Sequence, residues 1–294
     1  VEGLGLSRWT HRYDRGRSTL IPEFVRSVRT VGYDAVLDLL VSPSLTRALL
    51  CATAAPRAFR VGLDAGRYTH FYGRSMPVRE GDGEHMILHY VRSLSSLGVS
   101  DEFSVRGFLP LTEADRAPVI QFLGGCTRGR LVGLVRSSYR ESTRWPDEKL
   151  QALAERLRSD DAGTRFAIFC VPRERAEGRR LADAVGGQVV PPDGVPAEKL
   201  RVVAAFVDAC DILVSPDTAT VHIASALNVP VVGLYTDRAP RFGQWHPFRI
   251  PCRTPTARGG RWVRTITVEE VHAAFCDLWS EVSEMSGRAR SLRA

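Results

Sequence analysis

The chain has 294 residues, 40 of them Lys or Arg against 33 Asp or Glu, for a net charge of +7, with 44% hydrophobic residues. That length suits two domains of ordinary size, and no apolar run approaches the ~20 residues of a membrane span. Lys149 and Lys199 are the only lysines; an arginine excess suits phosphate-bearing ligands, but acids interrupt it and no basic-aromatic stripe marks a nucleic-acid surface. The six cysteines, at 51, 126, 170, 210, 252 and 276, form no CxxC pair. They read as a reducing compartment without a structural zinc, with Cys170 and Cys210 as small buried hydrophobes. Glu2, Arg8, Arg12 and Arg15 stand where a signal peptide would need an apolar core.

Residues 1–20 carry little pattern. Pro22 opens a helix whose stripe is Phe24, Val25, Val28 and Val31, and Gly32 stops it. Asp34 to Leu40 reads as a buried strand. Ser42 or Ser44 begins a second helix with Leu45, Leu49 and Leu50 inward. Phe59 to Leu63 is another strand, and His85 to Leu97 a longer helix. Residues 100–130 are punctuated by Pro110, Pro118, Gly124, Gly125 and Gly129 and read as a connection. The domain boundary is placed there, giving domains 1–125 and 126–294.

From Leu131 the pattern sharpens. Leu131 to Val135 is a strand, followed by the polar loop RSSYREST. Pro146, with Asp147 and Glu148 after it, opens a helix carrying Leu150, Leu153 and Leu157. Phe166 to Cys170 and Gln188 to Val190 are strands around a helix near Arg173 to Ala184. Ala197 to Ala209 is helical. Strands alternating with helices across short loops predict a parallel, doubly wound sheet. VRTITVEEVHAAFCDLWSEV closes the domain, with Thr267 as helix cap and Val271, Phe275, Leu278 and Val282 as the inward stripe; a polar tail follows.

The most informative stretch is DACDILVSPDTATVHIASALNVPVVGLYTD, residues 208–237. Ile212 to Val214 is a short buried strand, broken by Ser215 to Thr218. Asp217 or Thr218 can cap a helix starting near Ala219. Asn228 offers a left-handed stop, Pro230 prevents continuation, and Val231 to Tyr235 is the next strand. Such a loop points a helix N-terminus into the crevice at the carboxyl end of a parallel sheet, where free N–H groups favour a phosphate. Ala219 and Thr220 are small enough for a ligand to approach the backbone, and Thr218 and His222 share one helix face.

These segments together resemble glycosyltransferase family 9, the ADP-heptose:lipopolysaccharide heptosyltransferases and their relatives. GYDAVLDLL resembles the family's tyrosine-aspartate strand. VGLVRSSYRESTRWPDEKLQALAERL resembles its second-domain opening, and SPDTATVHIASALNVPVVGLY its Asp-Thr-Gly loop. WVRTITVEEVHAAF resembles its C-terminal helix entry. The resemblance covers roughly residues 25–282. It implies an α/β fold in the GT-B arrangement of two Rossmann-like domains, the nucleotide sugar on the C-terminal one and the acceptor on the N-terminal one. It further implies metal-independent inversion with an ADP-heptose donor, no cofactor, and a glycan, lipid-linked or small-molecule acceptor. The expected setting is cytoplasmic, with peripheral contact at the inner face of the membrane.

By that resemblance Asp217, Thr218, Ala219 and His222 hold the nucleotide diphosphate. Ser138, Thr143 and Arg144 fall in the loop that binds phosphate and sugar, and Glu174 is a weaker match to a nucleoside-binding acid. Trp145 is assigned to packing. The family's glycine is Ala219 here and its lysine is Thr143; Arg144 is the candidate to supply the missing charge. The family's opening strand and Gly-Asp loop, which carry its catalytic base, have no counterpart upstream of GYDAVLDLL, and Asp14 is in the wrong context. The N-terminal domain is therefore expected to be incomplete, either because the sequence is a fragment lacking its beginning or because the protein has lost the base, and no catalytic residue is assigned. A non-catalytic sugar-nucleotide binder and a sugar-nucleotide epimerase of the same fold are the alternatives.

Overall fold

The structure, a computed structural model, describes residues 21–78, 84–100, 105, 107–124, 129–195, 200–236, 244–257, 259 and 262–291. Residues 1–20, on which the expectation of an incomplete start falls, lie outside them. Contacts divide the chain into two units, Val1–Val105 and Arg106–Ala294.

The first unit holds helices α1 (Ile21–Val31), α2 (Leu45–Ala54) and α3 (Met86–Ser95) with strands β1 (Ala35–Asp38), β2 (Phe59–Leu63) and β3 (Arg74–Met76). The strands pair in parallel in the order β1-β2-β3. Gly32 ends α1 with φ +67°, a backbone conformation that costs a glycine nothing. Ser44 caps α2 through a bond from the Arg47 amide. That helix is rotated from its expected setting: Ala48 and Ala54 are buried, whereas Leu45 and Leu49 are exposed. Arg47 fixes the rotation by reaching back to the buried Asp38 carboxylate at 3.1 and 3.2 Å. Tyr72 donates its hydroxyl to the same carboxylate at 2.7 Å.

The second unit begins earlier than the boundary placed at residues 125–126. The segment read as a connection contains helix α4 (Glu113–Leu123), which packs on α7 (Leu200–Asp208), with Phe122 edge-on to Phe206 at 5.4 Å. Its N-terminus is a reciprocal capping box between Thr112 and Asp115, which satisfies orphan amides and holds the helix despite Pro118.

This unit is a parallel sheet of β4 (Leu131–Val135), β5 (Arg165–Phe169), β6 (Gln188–Val190), β7 (Ile212–Pro216), β8 (Val231–Thr236), β9 (Cys252–Arg253) and β10 (Thr256–Ala257). The order β10-β8-β7-β4-β5-β6, with β9 also on the outer edge of β8, is doubly wound. Strand order reverses between β4 and β7. Helices α5 (Asp147–Asp160), α6 (Arg175–Val185), α8 (Ala219–Leu227) and α9 (Val268–Ser291) complete the layers.

Successive residues of a strand point to opposite faces, so one strand feeds two cores. Val132, Leu134, Ile212 and Val214 pack with Leu150, Leu153, Leu157 and Phe275. Leu131, Val135 and Leu213 pack on the other side with Phe206, Val207 and Val221. Burial on both faces explains why these strands are continuous apolar runs. Trp145 is buried in the first core and donates its indole N–H to the Ile266 carbonyl at 3.1 Å, the packing role assigned to it. The approach to α9 is a short 3-10 turn, Val263–Thr265. Thr267 and Glu270 then exchange bonds at the start of α9, as a capping residue should. Among the described residues no helix is long and apolar enough to cross a membrane.

Candidate functional site

The crevice at the reversal point of the second unit's sheet is a cleft of about 760 Å³. Its walls are the loops that leave β4, β5 and β7, the end of β8, and Trp262. In open α/β sheets ligands bind in the crevice at such a reversal point, outside the carboxyl ends of the strands.

The wall after β7 is made of backbone and small hydroxyls. Asp217, Thr218 and Ala219 line it. Thr218 is the N-cap of α8 by position, with extended backbone, but its own side chain makes no cap hydrogen bond. The first-turn amides at Ala219 and Thr220 have no partner within the helix and are donors of the kind that hold a phosphate. The Thr218 hydroxyl is instead drawn into a cluster: it lies 2.6 Å from Thr220 Oγ1 and 3.2 Å from Ser215 Oγ, with Ser215 2.9 Å from Thr220. Asn228 closes the helix at φ 59°, the left-handed stop expected of it.

The wall after β4 depends on side chains. Ser137, Ser138, Tyr139, Arg140, Ser142 and Thr143 line the cleft there. Ser138 and Thr143 hydroxyls meet at 2.5 Å, and Thr143 also bonds the Arg140 carbonyl at 3.0 Å. Behind this surface Glu174 gathers Arg136 at 2.8 Å, Ser137 at 2.8 Å and Arg144 at 2.7 Å. Arg136 turns its Nε to Asp147 at 2.9 Å, and Ser137 accepts the Val171 amide at 2.9 Å. Burial alone would push the Glu174 carboxyl upward; the Ser137 hydroxyl and the Arg144 and Arg136 guanidinium groups outweigh it and hold the carboxyl below its usual range.

The structure thus brings five of the sequence candidates to the cleft surface, Ser138, Thr143, Asp217, Thr218 and Ala219. Arg144 and Glu174 are instead joined to each other behind the β4 wall. His222 is largely buried and stacks edge-on against Trp245 at 5.6 Å. Burial lowers its pKa and the nearby Asp217 partly offsets this. Among the described residues, Arg140 and Arg173 are cations on the lining that form no ion pair. Neither was singled out from the sequence, nor were Tyr139, Thr236 and Trp262. Arg140 and Tyr139 lie inside RSSYREST, so the loop was legible and its orientation was not.

Comparison with known proteins follows the same lines. The profile of glycosyltransferase family 9 (heptosyltransferase) matches residues 21–251. Lipopolysaccharide heptosyltransferase 1 of Escherichia coli (strain K12) is 24% identical over 243 residues, covering 79% of this chain and 70% of that protein. Among solved structures, a glycosyl transferase family 9 protein from Veillonella parvula superposes with a TM-score of 0.74 at 19% identity, over 92% of this chain and 81% of that one. An E. coli heptosyltransferase solved with ADP gives a TM-score of 0.66 at 21% identity, over 94% and 82% of the two chains. The fold is the expected α/β one of GT-B glycosyltransferases, and the match runs through both the β4 and β7 walls. The chain belongs to glycosyltransferase family 9 and is a heptosyltransferase-like glycosyltransferase.

Proposed function

We propose that the cleft binds an ADP-sugar, ADP-heptose foremost, and that the protein transfers the sugar to a hydroxyl of a glycan or small-molecule acceptor with inversion and without a metal. The observation that carries this reading is the N-terminus of α8, where the Thr218 side chain makes no cap bond, opening on the cleft between hydroxyls and the Arg140 and Arg173 cations. In the transfer, the acceptor oxygen bonds to the anomeric carbon as the bond from that carbon to the diphosphate oxygen breaks. Negative charge grows on the departing ADP. The amides at Ala219 and Thr220, with the α8 dipole, stabilise that charge more than the ground state. Ser138, Thr143 and Thr218 donate to phosphate oxygens, and the Asp217 turn sets the backbone. Arg144, Glu174 and His222 act behind the wall as positioning groups. A carboxylate must take the acceptor proton; none of the described residues is assigned that role. The proposed setting is the cytoplasm, with a lipid-linked acceptor at the inner face of the membrane as the partner that fits the family.

Thermal shift with a panel of nucleotide sugars tests the donor. A ligand that binds only the folded state adds about 2.7 kcal/mol at 100 times its Kd, a shift of several degrees for a unit of this size. ADP-heptose should raise the melting temperature more than UDP- or GDP-sugars. An equal response to all, or none to ADP-heptose, contradicts the assignment.

A further inference from the structure

Away from the cleft, Asp160, His272 and Cys276 converge. Asp160 is the last residue of α5, about 20 Å along that helix from the end that faces the cleft. His272 and Cys276 stand four apart on α9, on one face. The packing of α5 on α9 brings them together, with Leu157, Phe275 and Leu278 buried in the same core and Arg156 paired to Glu269.

The three ligating atoms lie within 4.8 Å of one another. His272 Nε2 is 2.7 Å from Asp160 Oδ2 and 3.7 Å from Cys276 Sγ, and Sγ is 3.9 Å from Asp160 Oδ2. A tetrahedral zinc, with bonds of about 2.0 to 2.3 Å, needs ligand-to-ligand edges of about 3.3 to 3.6 Å. Both sulfur edges are already within a few tenths of an ångström of that. The remaining edge must open by about 0.6 Å, which an exposed aspartate at a helix end can do.

A catalytic relay is a different arrangement. It would use both imidazole nitrogens, one toward the thiol and the other toward the carboxylate. Here both neighbours meet the same nitrogen, Nε2, so a metal would sit among the three ligating atoms.

We propose that Asp160, His272 and Cys276 form a three-ligand site for a borderline divalent transition metal, Zn²⁺ the best fit, that clips the C-terminal helix to α5. Nitrogen, thiolate and carboxylate are the zinc donor set, and the exposed side leaves the fourth position to water. On binding, the Cys276 thiol releases its proton to solvent as the sulfur–metal bond forms, and the neutral His272 ring, with its proton on Nδ1, gives the Nε2 lone pair to the metal. One carboxylate and one thiolate neutralise the dication. Without a metal the thiol stays protonated at neutral pH, because burial and Asp160 push its pKa up, with Arg130 opposing them. No sequence pattern announces this site, since the aspartate lies more than a hundred residues from the helical pair.

Titrating tag-free, metal-stripped full-length protein with Co²⁺ tests the site. The expected result is one Co²⁺ per chain with a thiolate-to-cobalt charge-transfer band, displaced by Zn²⁺. The band should vanish in Cys276→Ser and in His272→Gln. Zn²⁺ should raise the melting temperature of the wild type and leave that of both variants unmoved, while all three melt alike in chelator. Absence of the band in the wild type overturns the proposal, as does its survival in Cys276→Ser, which would assign it to another cysteine.

Discussion

The loop after β4 and the loop after β7 face the same cleft, yet different forces hold them. After β4, the serines and threonine of the lining rest on a charge network anchored by the buried Arg136: Glu174 with Arg136, Arg144 and Ser137, and Asp147 behind. After β7, the chain turns directly from strand to helix, and hydroxyls of Ser215, Thr218 and Thr220 bond mainly to one another. The first wall owes its shape to charges paired behind it. The second owes it to the secondary structure on either side. They should therefore fail differently: the β4 wall through loss of a charge behind it, the β7 wall through bulk placed on it.

The largest expected effect is on the β4 wall. Glu174→Gln keeps the volume but leaves the Arg136 and Arg144 guanidinium groups short of a negative partner, and the Arg136 side chain is only 6% exposed. Breaking such a pair should cost about 3 kcal/mol of stability, read by chemical denaturation. Stability within a few tenths of wild type would show that the network does not hold this wall.

Next come the cations on the lining. Arg140→Ala and Arg173→Ala should each weaken ADP binding by about 1 kcal/mol, roughly fivefold, and flatten its salt dependence, with little change in stability. Arg144→Ala should instead act mainly on stability, because Glu174 already holds it. If Arg144→Ala weakens binding more than the other two without destabilising the fold, the division between surface and supporting arginines is wrong.

The smallest effect concerns pH on the β7 side. His222 has a folded pKa below the ordinary 6.5, burial being the main cause. Its contribution to stability is full above that unfolded value and is lost as pH falls through the depressed folded one. Melting temperature should thus decline below about pH 6.5, and His222→Phe should remove that part of the slope. An unchanged profile would mean that the ring titrates as freely folded as unfolded.

How far the sequence revealed this layout differs between the walls in the same way. The β7 wall was legible, because an apolar strand, a Ser-Pro-Asp-Thr break and an Asn stop specify strand, turn and helix locally, and Ala219–Leu227 formed where expected. For the β4 wall the loop was legible but the direction of its arginines was not. Arg144 and Arg140 are chemically equal in sequence. The acid that distinguishes them, Glu174, lies 30 residues further on from Arg144 and reaches it only through the pairing of β4 with β5. Helix α4 was missed for another reason: Pro118 and Gly124 read as breaks, whereas the Thr112–Asp115 capping box and the contact on Phe206 decide the matter. In α2, the apolar positions gave a stripe but not its rotation, which a single ion pair from Arg47 to Asp38 sets.

The most direct test is calorimetric titration of ADP and AMP into wild type and Ala219→Val. If the bare N-terminus of α8 grips a diphosphate, ADP binds one per chain and AMP at least about tenfold more weakly, a difference of about 1.4 kcal/mol. The added methyl groups of the valine should then weaken ADP by a similar factor or more while the melting temperature without ligand holds. Equal binding of ADP and AMP, or ADP affinity untouched by Ala219→Val, would contradict the account.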